Sequence, residues 1–250
     1  MSKWKENRWK INRWKIAGCI IVAIIFFLAG TWLWKNRKVQ FEDDKMRQII
    51  CLELGKETDS QDITYRDLEK IQELEIGPVG NFETVEDIAK CKNLKQLWIN
   101  IEVTEKSASY KVYKKTIEGK IYLPILKEKQ VERICKDLNK IFKTVKGIEC
   151  FGFTNFNESC NIKDLNFLIY AKNLKKITIS FVTVDDYSVL EDCDKLEVVY
   201  LWDSNIETAD SLLKLKNVKK FWLTGTPLAE NEKEIKRLKE AFPEAEIIVD

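Results

Sequence analysis

The residues that could carry covalent, redox or metal chemistry are seven cysteines and two pairs of adjacent carboxylates, Asp43-Asp44 and Asp185-Asp186. The chain has no histidine, which excludes Ser-His-Asp and Cys-His nucleophile systems and all histidine-ligated metal sites. No CxxC pair, glycine-rich phosphate loop or nucleophile elbow occurs. The paired carboxylates stand at a predicted helix start and a predicted turn, which favours capping and solvation over acid–base roles. The sequence therefore predicts a protein that is not an enzyme and that holds no cofactor or metal.

The cysteines are interpreted as buried free thiols. Cys91 and Cys193 each stand three residues before an apolar motif that recurs along the chain, and Cys150 stands inside such a motif. A free thiol in such a place packs as a small hydrophobic group. Export from the cytoplasm would permit disulfides, so a disulfide framework stays as the alternative, with Cys51 and Cys160 its least certain members.

The recurring apolar motif organises most of the chain. Its apolar residues stand at motif positions 1, 4 and 6, which is typical of a bend that leads into a short strand with one buried face. Successive copies are separated by 23, 51, 29, 22 and 22 residues, so neighbouring strands can stack into one continuous core. The six copies are Ile71-x-x-Leu74-x-Ile76, Leu94-x-x-Leu97-x-Ile99, Val145-x-x-Ile148-x-Cys150, Leu174-x-x-Ile177-x-Ile179, Leu196-x-x-Val199-x-Leu201 and Val218-x-x-Phe221-x-Leu223.

On these motifs the chain resembles the leucine-rich repeat family, and its 22-residue spacings are similar to those of the bacterial, internalin-like branch. The resemblance covers roughly residues 41 to 250. It implies an α/β solenoid, a curved parallel sheet with short helices on the convex side, and it is silent about the ligand. The family's asparagine three residues after the strand is replaced in all six motifs, so we expect the convex turns to be less regular than the family's.

The other parts of the predicted domain flank or interrupt the repeats. Residues 41–70 are expected to form a helical N-terminal cap, because an end repeat would otherwise expose its apolar cross-section. The repeat domain is assigned to residues 71–250, with an irregular long repeat at 100–144. Within that repeat, 110–123 suggests a hairpin, which is either a binding insertion or part of one overlong repeat. Residues 131–145 have the spacing of an amphipathic helix that replaces a turn.

The N-terminal region contains a candidate membrane span. Residues 16–34 are an unbroken uncharged run bracketed by Lys15 and Lys35. As a helix with a rise of about 1.5 Å per residue, the run is about 28 Å long, close to a hydrocarbon core of ~30 Å. We therefore predict a transmembrane helix, with a cleaved signal peptide as the alternative. Residues 35–40 are assigned as a linker.

The formal net charge of +2 conceals two regions of opposite sign. Residues 1–38 carry nine basic residues and one acidic residue, a net charge of +8, and the remainder carries −6. The basic, tryptophan-rich tail at 1–15 is interpreted as an electrostatic and interfacial anchor, with a cytoplasmic partner motif as the alternative. The acidic remainder argues against a nucleic-acid partner. Six basic residues precede the span and three follow it, which predicts a cytoplasmic N-terminus and an extracytoplasmic repeat domain.

The candidate ligand-binding residues are those that the strands direct to the concave face. Because strand side chains alternate, the residues at motif positions 5 and 7 point away from the core. Large aromatic residues recur at these positions and should form a patch near the C-terminal end, unless they merely suit strands or the hairpin buries them. The predicted residues are Trp98, Asn100, Phe151, Thr178, Tyr200, Trp202, Trp222 and Thr224.

Two functions are compatible with this organisation. The first is a membrane-anchored recognition module whose concave face binds a protein or cell-envelope ligand. The second is a structural envelope-assembly protein that acts through its transmembrane segment and tail. An exposed aromatic patch favours the first, since Trp and Tyr are typical anchors of interfaces.

Overall fold

A long N-terminal helix precedes a solenoid of short parallel strands. The computed structural model describes residues 3–77, 79–100, 108, 128–154 and 161–250, with the side chains of 3–15 and 80 outside that description. The side chains of the tail tryptophans, the predicted hairpin at 110–123 and Cys160 lie outside that description, so the expectations for them stay predictions.

The N-terminal helix α1 spans Lys3–Lys35 and begins well before the predicted span. Within it, Ile16–Lys35 is the one helical segment of the described residues that is long and apolar enough, by length and composition, to cross a membrane. None of this segment is buried within the protein. Its apolar side chains are therefore available to a lipid environment.

The C-terminal end of α1 packs against the domain that follows. Trp34 stacks on Tyr65 with ring centroids 4.7 Å apart. The chain then forms an antiparallel bridge between Lys38 and Thr64. The segment 35–40, which we expected to be a linker, is thus attached to the cap by backbone hydrogen bonds.

The cap is tied to the first repeat by buried carboxylates. Asp43 caps the first cap helix by accepting a hydrogen bond of 2.9 Å from the backbone N–H of Met46. Asp87 is fully buried and accepts hydrogen bonds of 2.9 Å from the backbone N–H groups of Glu42 and Asp43. These bonds satisfy donors at the start of the helix that would otherwise be unpaired. The cap helices are α2 (Asp44–Glu53) and α3 (Tyr65–Leu68).

The main sheet has seven strands, and all of its neighbouring pairs are parallel. Its strands in spatial order are β1 (Glu73–Ile76), β2 (Gln96–Asn100), β3 (Cys150–Thr154), β5 (Lys176–Ser180), β7 (Val198–Tyr200), β8 (Lys220–Trp222) and β9 (Glu246–Ile248). A second, two-stranded parallel sheet pairs β4 (Asn161–Ile162) with β6 (Thr183–Val184).

The register of the main sheet places one apolar residue of each repeat at the same level of the core. Residues at motif position 4 pair from strand to strand and are fully buried: Leu74, Leu97, Phe151, Ile177, Val199 and Phe221. Short 3₁₀ helices at Glu86–Lys90, Asn166–Tyr170, Ser188–Asp192 and Leu212–Lys214 connect successive strands. The domain is therefore a leucine-rich repeat solenoid, as the spacing predicted.

The third motif lies three residues later than predicted. β3 pairs Leu97 with Phe151 and Ile99 with Phe153, so the repeat is Ile148-x-x-Phe151-x-Phe153. Both registers place apolar residues at motif positions 1, 4 and 6, but the observed one buries two phenylalanines, which removes more apolar surface from water. The predictions that Phe151 faces the concave side and that Cys150 lies in the core are wrong.

The long repeat contains the predicted amphipathic helix, α4 (Glu128–Thr144). Its buried face includes Phe142, whose ring centroid lies 5.2 Å from that of Phe151 and 5.5 Å from that of Phe167. Phe151 and Phe167 also contact each other at 5.5 Å. α4 thus fills the core on the convex side of β3, where the other repeats use a 3₁₀ helix.

Neighbouring repeats are linked by three asparagines, each of which stands directly before the first residue of a motif. The Nδ2 groups of Asn93, Asn173 and Asn217 donate hydrogen bonds of 2.8, 2.9 and 2.7 Å to backbone carbonyls of the preceding repeat. These bonds satisfy backbone acceptors in the bends that lead into the strands. A ladder at this bend therefore joins repeats that lack the family's asparagine after the strand.

Two helices close the C-terminal end of the core. α5 spans Pro227–Glu230 and α6 spans Glu232–Ala241. Phe242, which follows α6, packs its ring 5.1 Å from that of Phe221. Phe242 thereby covers the core of the last repeat, and the chain then continues into β9, which pairs with β8.

Candidate binding face

The face of the sheet opposite the core carries a connected group of aromatic side chains. Tyr200 and Trp222 meet edge to face with ring centroids 5.4 Å apart. Trp222 stacks on Trp202 at 5.8 Å, and Trp202 contacts Phe181 at 5.1 Å. We call Phe181, Tyr200, Trp202 and Trp222 the aromatic cluster. Its geometry matches the offset and edge-to-face arrangements that aromatic pairs favour.

The aromatic cluster reaches the solvent. Outside α1, Trp202 and Ile169 are the exposed large apolar side chains of the described residues, at 37% and 45%. Tyr200, Trp222 and Phe181 are half-buried. These residues therefore lie outside the core, as the alternation predicts for Tyr200, Trp202 and Trp222. The alternative that the hairpin buries them falls outside the described residues, and their role as a ligand site stays a prediction.

Trp98 joins the cluster through a lysine. The Nζ of Lys176 lies 5.3 Å from the ring centroid of Trp98 and 4.8 Å from that of Tyr200, within the range of cation–π attraction. Gly152 of β3 pairs with Trp98 of β2 and lies beneath the indole ring. A Cβ at position 152 would stand only 2.2 Å from Trp98 Cε3. A glycine at this position is what permits the indole to lie across the sheet.

The backbone bends at the same place in three successive repeats beside the cluster. Phe181, Asp203 and Gly225, each seven residues after its motif begins, have positive φ angles of 56°, 49° and 73°. The N–H of Phe181 donates to the carbonyl of Trp202 at 3.1 Å, which continues the inter-repeat bonding past the strand. A non-glycine residue in this region is strained by on the order of 1 kcal/mol or more, and such strain is concentrated at binding sites.

The remaining predicted residues occupy different surroundings. Thr224 accepts a hydrogen bond of 2.8 Å from Trp222 Nε1 and so belongs to the edge of the cluster. Thr178 lies between Gly152 and Tyr200 in the sheet register. Asn100 instead donates to Glu75 at 3.0 Å near the N-terminal end of the sheet. The structure thus brings together six of the eight predicted residues, and Asn100 and Phe151 are apart from them.

Sequence reasoning missed Lys176 and Phe181. Lys176 stands at motif position 3, which the same alternation directs to the concave face, so extending the predicted set by one position would have included it. Phe181 contacts Trp202 from a residue with a positive φ, and no residue pattern signals such a φ for phenylalanine.

Alternating charges line the edge where the strands begin. Glu149 pairs with Lys95 at 3.2 Å and with Lys175 at 2.7 Å, and Glu197 pairs with Lys219 at 2.7 Å. The hydrogen bonds from Lys175 and then Lys95 hold the pKa of the Glu149 carboxyl below its usual value. These exposed pairs contribute little to stability, and they leave little net charge on this edge.

The six cysteines of the described residues are free thiols, but the prediction that they are buried holds for only three of them, since Cys19 is exposed and Cys135 is half-buried. Cys51, Cys91 and Cys193 are buried, whereas Cys150 is half-exposed at the start of β3. Burial raises the pKa of Cys91 to about 12 and that of Cys193 to about 11. Neutral buried thiols of this kind are poor nucleophiles.

The paired carboxylates have structural partners. Asp43 caps α2, and Asp186 accepts a hydrogen bond of 2.7 Å from the backbone N–H of Ser188. That bond and a second one from the Ser188 hydroxyl lower the pKa of Asp186. Among the side chains that the structure describes, no three acidic, cysteine or histidine groups are placed to hold a metal ion.

Comparisons with known proteins give likenesses of architecture. No protein-family model matches the sequence, and no curated protein matches it. The solved structure of internalin C2 from Listeria monocytogenes is 18% identical, with a TM-score of 0.37, over 76% of this chain and 89% of that one. A leucine-rich repeat protein of Leptospira interrogans is 17% identical, with a TM-score of 0.37, over 73% of this chain and 50% of that one.

A further internalin of L. monocytogenes is 10% identical, with a TM-score of 0.34, over 83% of this chain and 88% of that one. Likenesses of this size establish neither a family nor a function. The solenoid is therefore assigned from the strand register and the repeat spacing of this chain.

Proposed function

We propose that this protein is a membrane-anchored recognition module whose concave face binds a protein or cell-envelope ligand. The observation that supports the proposal is the aromatic cluster, because it exposes contiguous tryptophan and tyrosine surface on the face opposite the core. Aromatic side chains of this kind dominate binding energy at interfaces. The proposal includes no catalytic activity.

The proposal places residues 16–34 in the membrane and the repeat domain outside the cytoplasm. The exposed apolar surface of that segment and the excess of basic residues before it support this topology. Protease added to intact cells should therefore remove the repeat domain, and complete protection from the protease would contradict the topology.

The binding role can be tested by site-specific photo-crosslinking in cells. A photo-reactive benzoylphenylalanine is placed at position 202, in the aromatic cluster, and in a matched variant at position 169, in the 3₁₀ helix of the convex side. Both native residues are exposed large apolar side chains, so the two probes differ mainly in the face that they occupy. We expect a discrete adduct from position 202 and none from position 169.

Two outcomes would contradict the proposal. The first is an adduct from position 169 but not from 202, which would place the contact on the convex side. The second is equal labelling from both positions, which would indicate random collisions.

The envelope-assembly alternative is favoured by one observation, the direct packing of α1 on the cap through Trp34 and Tyr65. If the membrane helix acts together with the domain, replacing residues 1–38 by an unrelated anchor should abolish assembly. If recognition by the concave face is the function, the adduct at position 202 should survive that exchange.

A further inference from the structure

We propose that the partner presents a polypeptide segment in which a carboxylate stands near an apolar side chain, and that Lys176 binds this carboxylate. The inference rests on the proposed function, because it specifies the chemistry of the ligand that the aromatic cluster binds. The evidence for it is the ion pairing of the neighbouring lysines and the distances from the Lys176 ammonium group to two aromatic rings.

Lys176 differs from the other lysines at the concave face and its edge. Lys95, Lys175, Lys219 and Lys220 each have a glutamate oxygen within 3.2 Å. No carboxylate of the described residues lies within ion-pair distance of Lys176, whose neighbours at the same level of the sheet are the uncharged Cys150 and Val198.

The position of Lys176 suits an incoming anion. Its side chain is half-buried, with the ammonium group near Trp98 and Tyr200. Ring contacts attract the cation but carry no net negative charge, so no group of the described residues neutralises the charge of Lys176. A carboxylate at this point would gain a charge-assisted hydrogen bond in a partly desolvated place, where such a bond is stronger than at an open surface.

The distance between the charge and the cluster limits the ligand. Tyr200 contacts Lys176 on one side and Trp222 on the other, at 4.8 and 5.4 Å. The Lys176 ammonium group and the Trp222 ring centroid are therefore at most about 10 Å apart, which an extended chain spans in up to three residues at roughly 3.3 Å each. An acidic residue two or three positions from a large apolar residue satisfies this spacing.

A polypeptide fits the face better than a polysaccharide. Trp202 and Trp222 stack on each other with 14° between their ring planes, and Phe181 contacts Trp202. These contacts occupy ring surface that a sugar would need for stacking. The part of the rings that stays exposed, above all at Trp202, instead suits single apolar side chains.

The test selects a phage-displayed random peptide library on the full-length protein in nanodiscs of uncharged phospholipid. Three forms are compared: wild type, Lys176→Gln and Trp202→Ala. We expect wild type to enrich peptides with Asp or Glu two or three residues from an aromatic or large aliphatic residue. Lys176→Gln should retain the apolar preference and lose the acidic one. Trp202→Ala should lose the wild-type peptides.

A synthetic peptide from the wild-type selection gives the quantitative readout. Its affinity should fall at least tenfold in Lys176→Gln and less than threefold in the control Lys175→Gln, because Lys175 is adjacent but already paired with Glu149. The weakening by Lys176→Gln should shrink at high salt, where the ionic contact is screened.

The outcomes separate the inference from the proposed function. If the wild-type peptides show no acidic enrichment, or if both lysine variants weaken binding equally, the role of Lys176 is wrong although loss in Trp202→Ala still supports the cluster. If Trp202→Ala enriches the same peptides as wild type, the proposed function fails. If wild type enriches no peptide but retains an acidic polysaccharide, the polypeptide assignment is overturned.

Discussion

Two residues beside the candidate site are held in unfavourable backbone conformations by hydrogen bonds to the next repeat. Phe181 and Asp203 adopt positive φ angles, although neither is a glycine. Each has its N–H bonded to the next repeat, Phe181 to Trp202 and Asp203 to Thr224. The hydrogen-bonded ladder therefore enforces a backbone geometry that side chains oppose, and it places Phe181 against Trp202.

The strain at Asp203 can be measured with two substitutions. Asp203→Gly and Asp203→Ala both remove the carboxylate, but only glycine adopts a positive φ at no steric cost. We expect the glycine variant to be more stable than the alanine variant by about 1 kcal/mol in urea unfolding of the fragment 33–250. Equal stability of the two variants would show that this position carries no backbone strain.

Buried thiols make stability depend on alkaline pH. The pKa values of Cys91 and Cys193 are raised to about 12 and about 11, so the folded protein keeps them neutral while the unfolded chain ionises them from about pH 9. The contribution of the two neutral thiols to the free energy of unfolding is complete below pH 9 and is lost as the pH rises toward 11 to 12. Each thiol should lower the unfolding free energy by at most about 1.4 kcal/mol per pH unit in that window.

The matched control is the double variant Cys91→Ala with Cys193→Ala. Its unfolding free energy should fall less steeply between pH 9 and 11 than that of the wild type. Identical slopes would mean that these thiols ionise in the folded protein as they do in the unfolded chain.

At the level of elements, the sequence was most informative where the repeats are regular. The motifs that begin at Leu174, Leu196 and Val218 were placed correctly, because one apolar face and a constant spacing admit a single register. The third motif was displaced because apolar residues recur every three positions from Val145 to Phe151. The repeat that contains α4 is much longer than the others, so a constant repeat spacing could not decide between the two registers.

The composition of the candidate site was only partly predictable for a similar reason. Alternation along β7 and β8 correctly placed Tyr200 and Trp222 outside the core. The contact of Lys176 with two rings depends on side-chain geometry, and Trp98 could lie across the sheet only because β3 offers Gly152. Neighbouring strands determine such contacts, and no single motif contains them.

The orientation of β8 can be tested by comparing two adjacent aromatic residues. Phe221 is fully buried, whereas Trp222 faces the concave side. Phe221→Ala should cost about 3–5 kcal/mol by leaving a core cavity, and Trp222→Ala about 1–2 kcal/mol through lost ring contacts. Urea unfolding of both variants measures this difference. A larger loss from Trp222→Ala than from Phe221→Ala would reverse the assignment of the two faces.

At the scale of the whole molecule, α1 and the solenoid meet without a free spacer. Trp34 stacks on Tyr65, and Lys35 Nζ lies 2.9 Å from a carboxylate oxygen of Glu69. The N–H of Tyr65 donates to the carbonyl of Arg37 at 3.2 Å. The domain is therefore held close to the end of α1, which restricts the directions in which the concave face can point.

This junction should contribute to the stability of the isolated domain. The fragment 33–250 keeps the Trp34 stack, the Lys35 ion pair and the Arg37 hydrogen bond, whereas the fragment 39–250 lacks all three. We expect the longer fragment to be more stable by about 1–2 kcal/mol in urea unfolding. Equal stability would show that residues 33–38 are a passive linker.

The most direct test of the account is the affinity of the partner that the probe at position 202 captures. Its dissociation constant is measured for wild type, Trp202→Ala, Trp222→Ala and the convex-side control Ile169→Ala. If the concave face is the binding site, each tryptophan variant stays folded and binds at least ~30-fold more weakly, a loss of ~2 kcal/mol, while Ile169→Ala binds as wild type does. Unchanged affinity in both folded tryptophan variants would contradict this assignment.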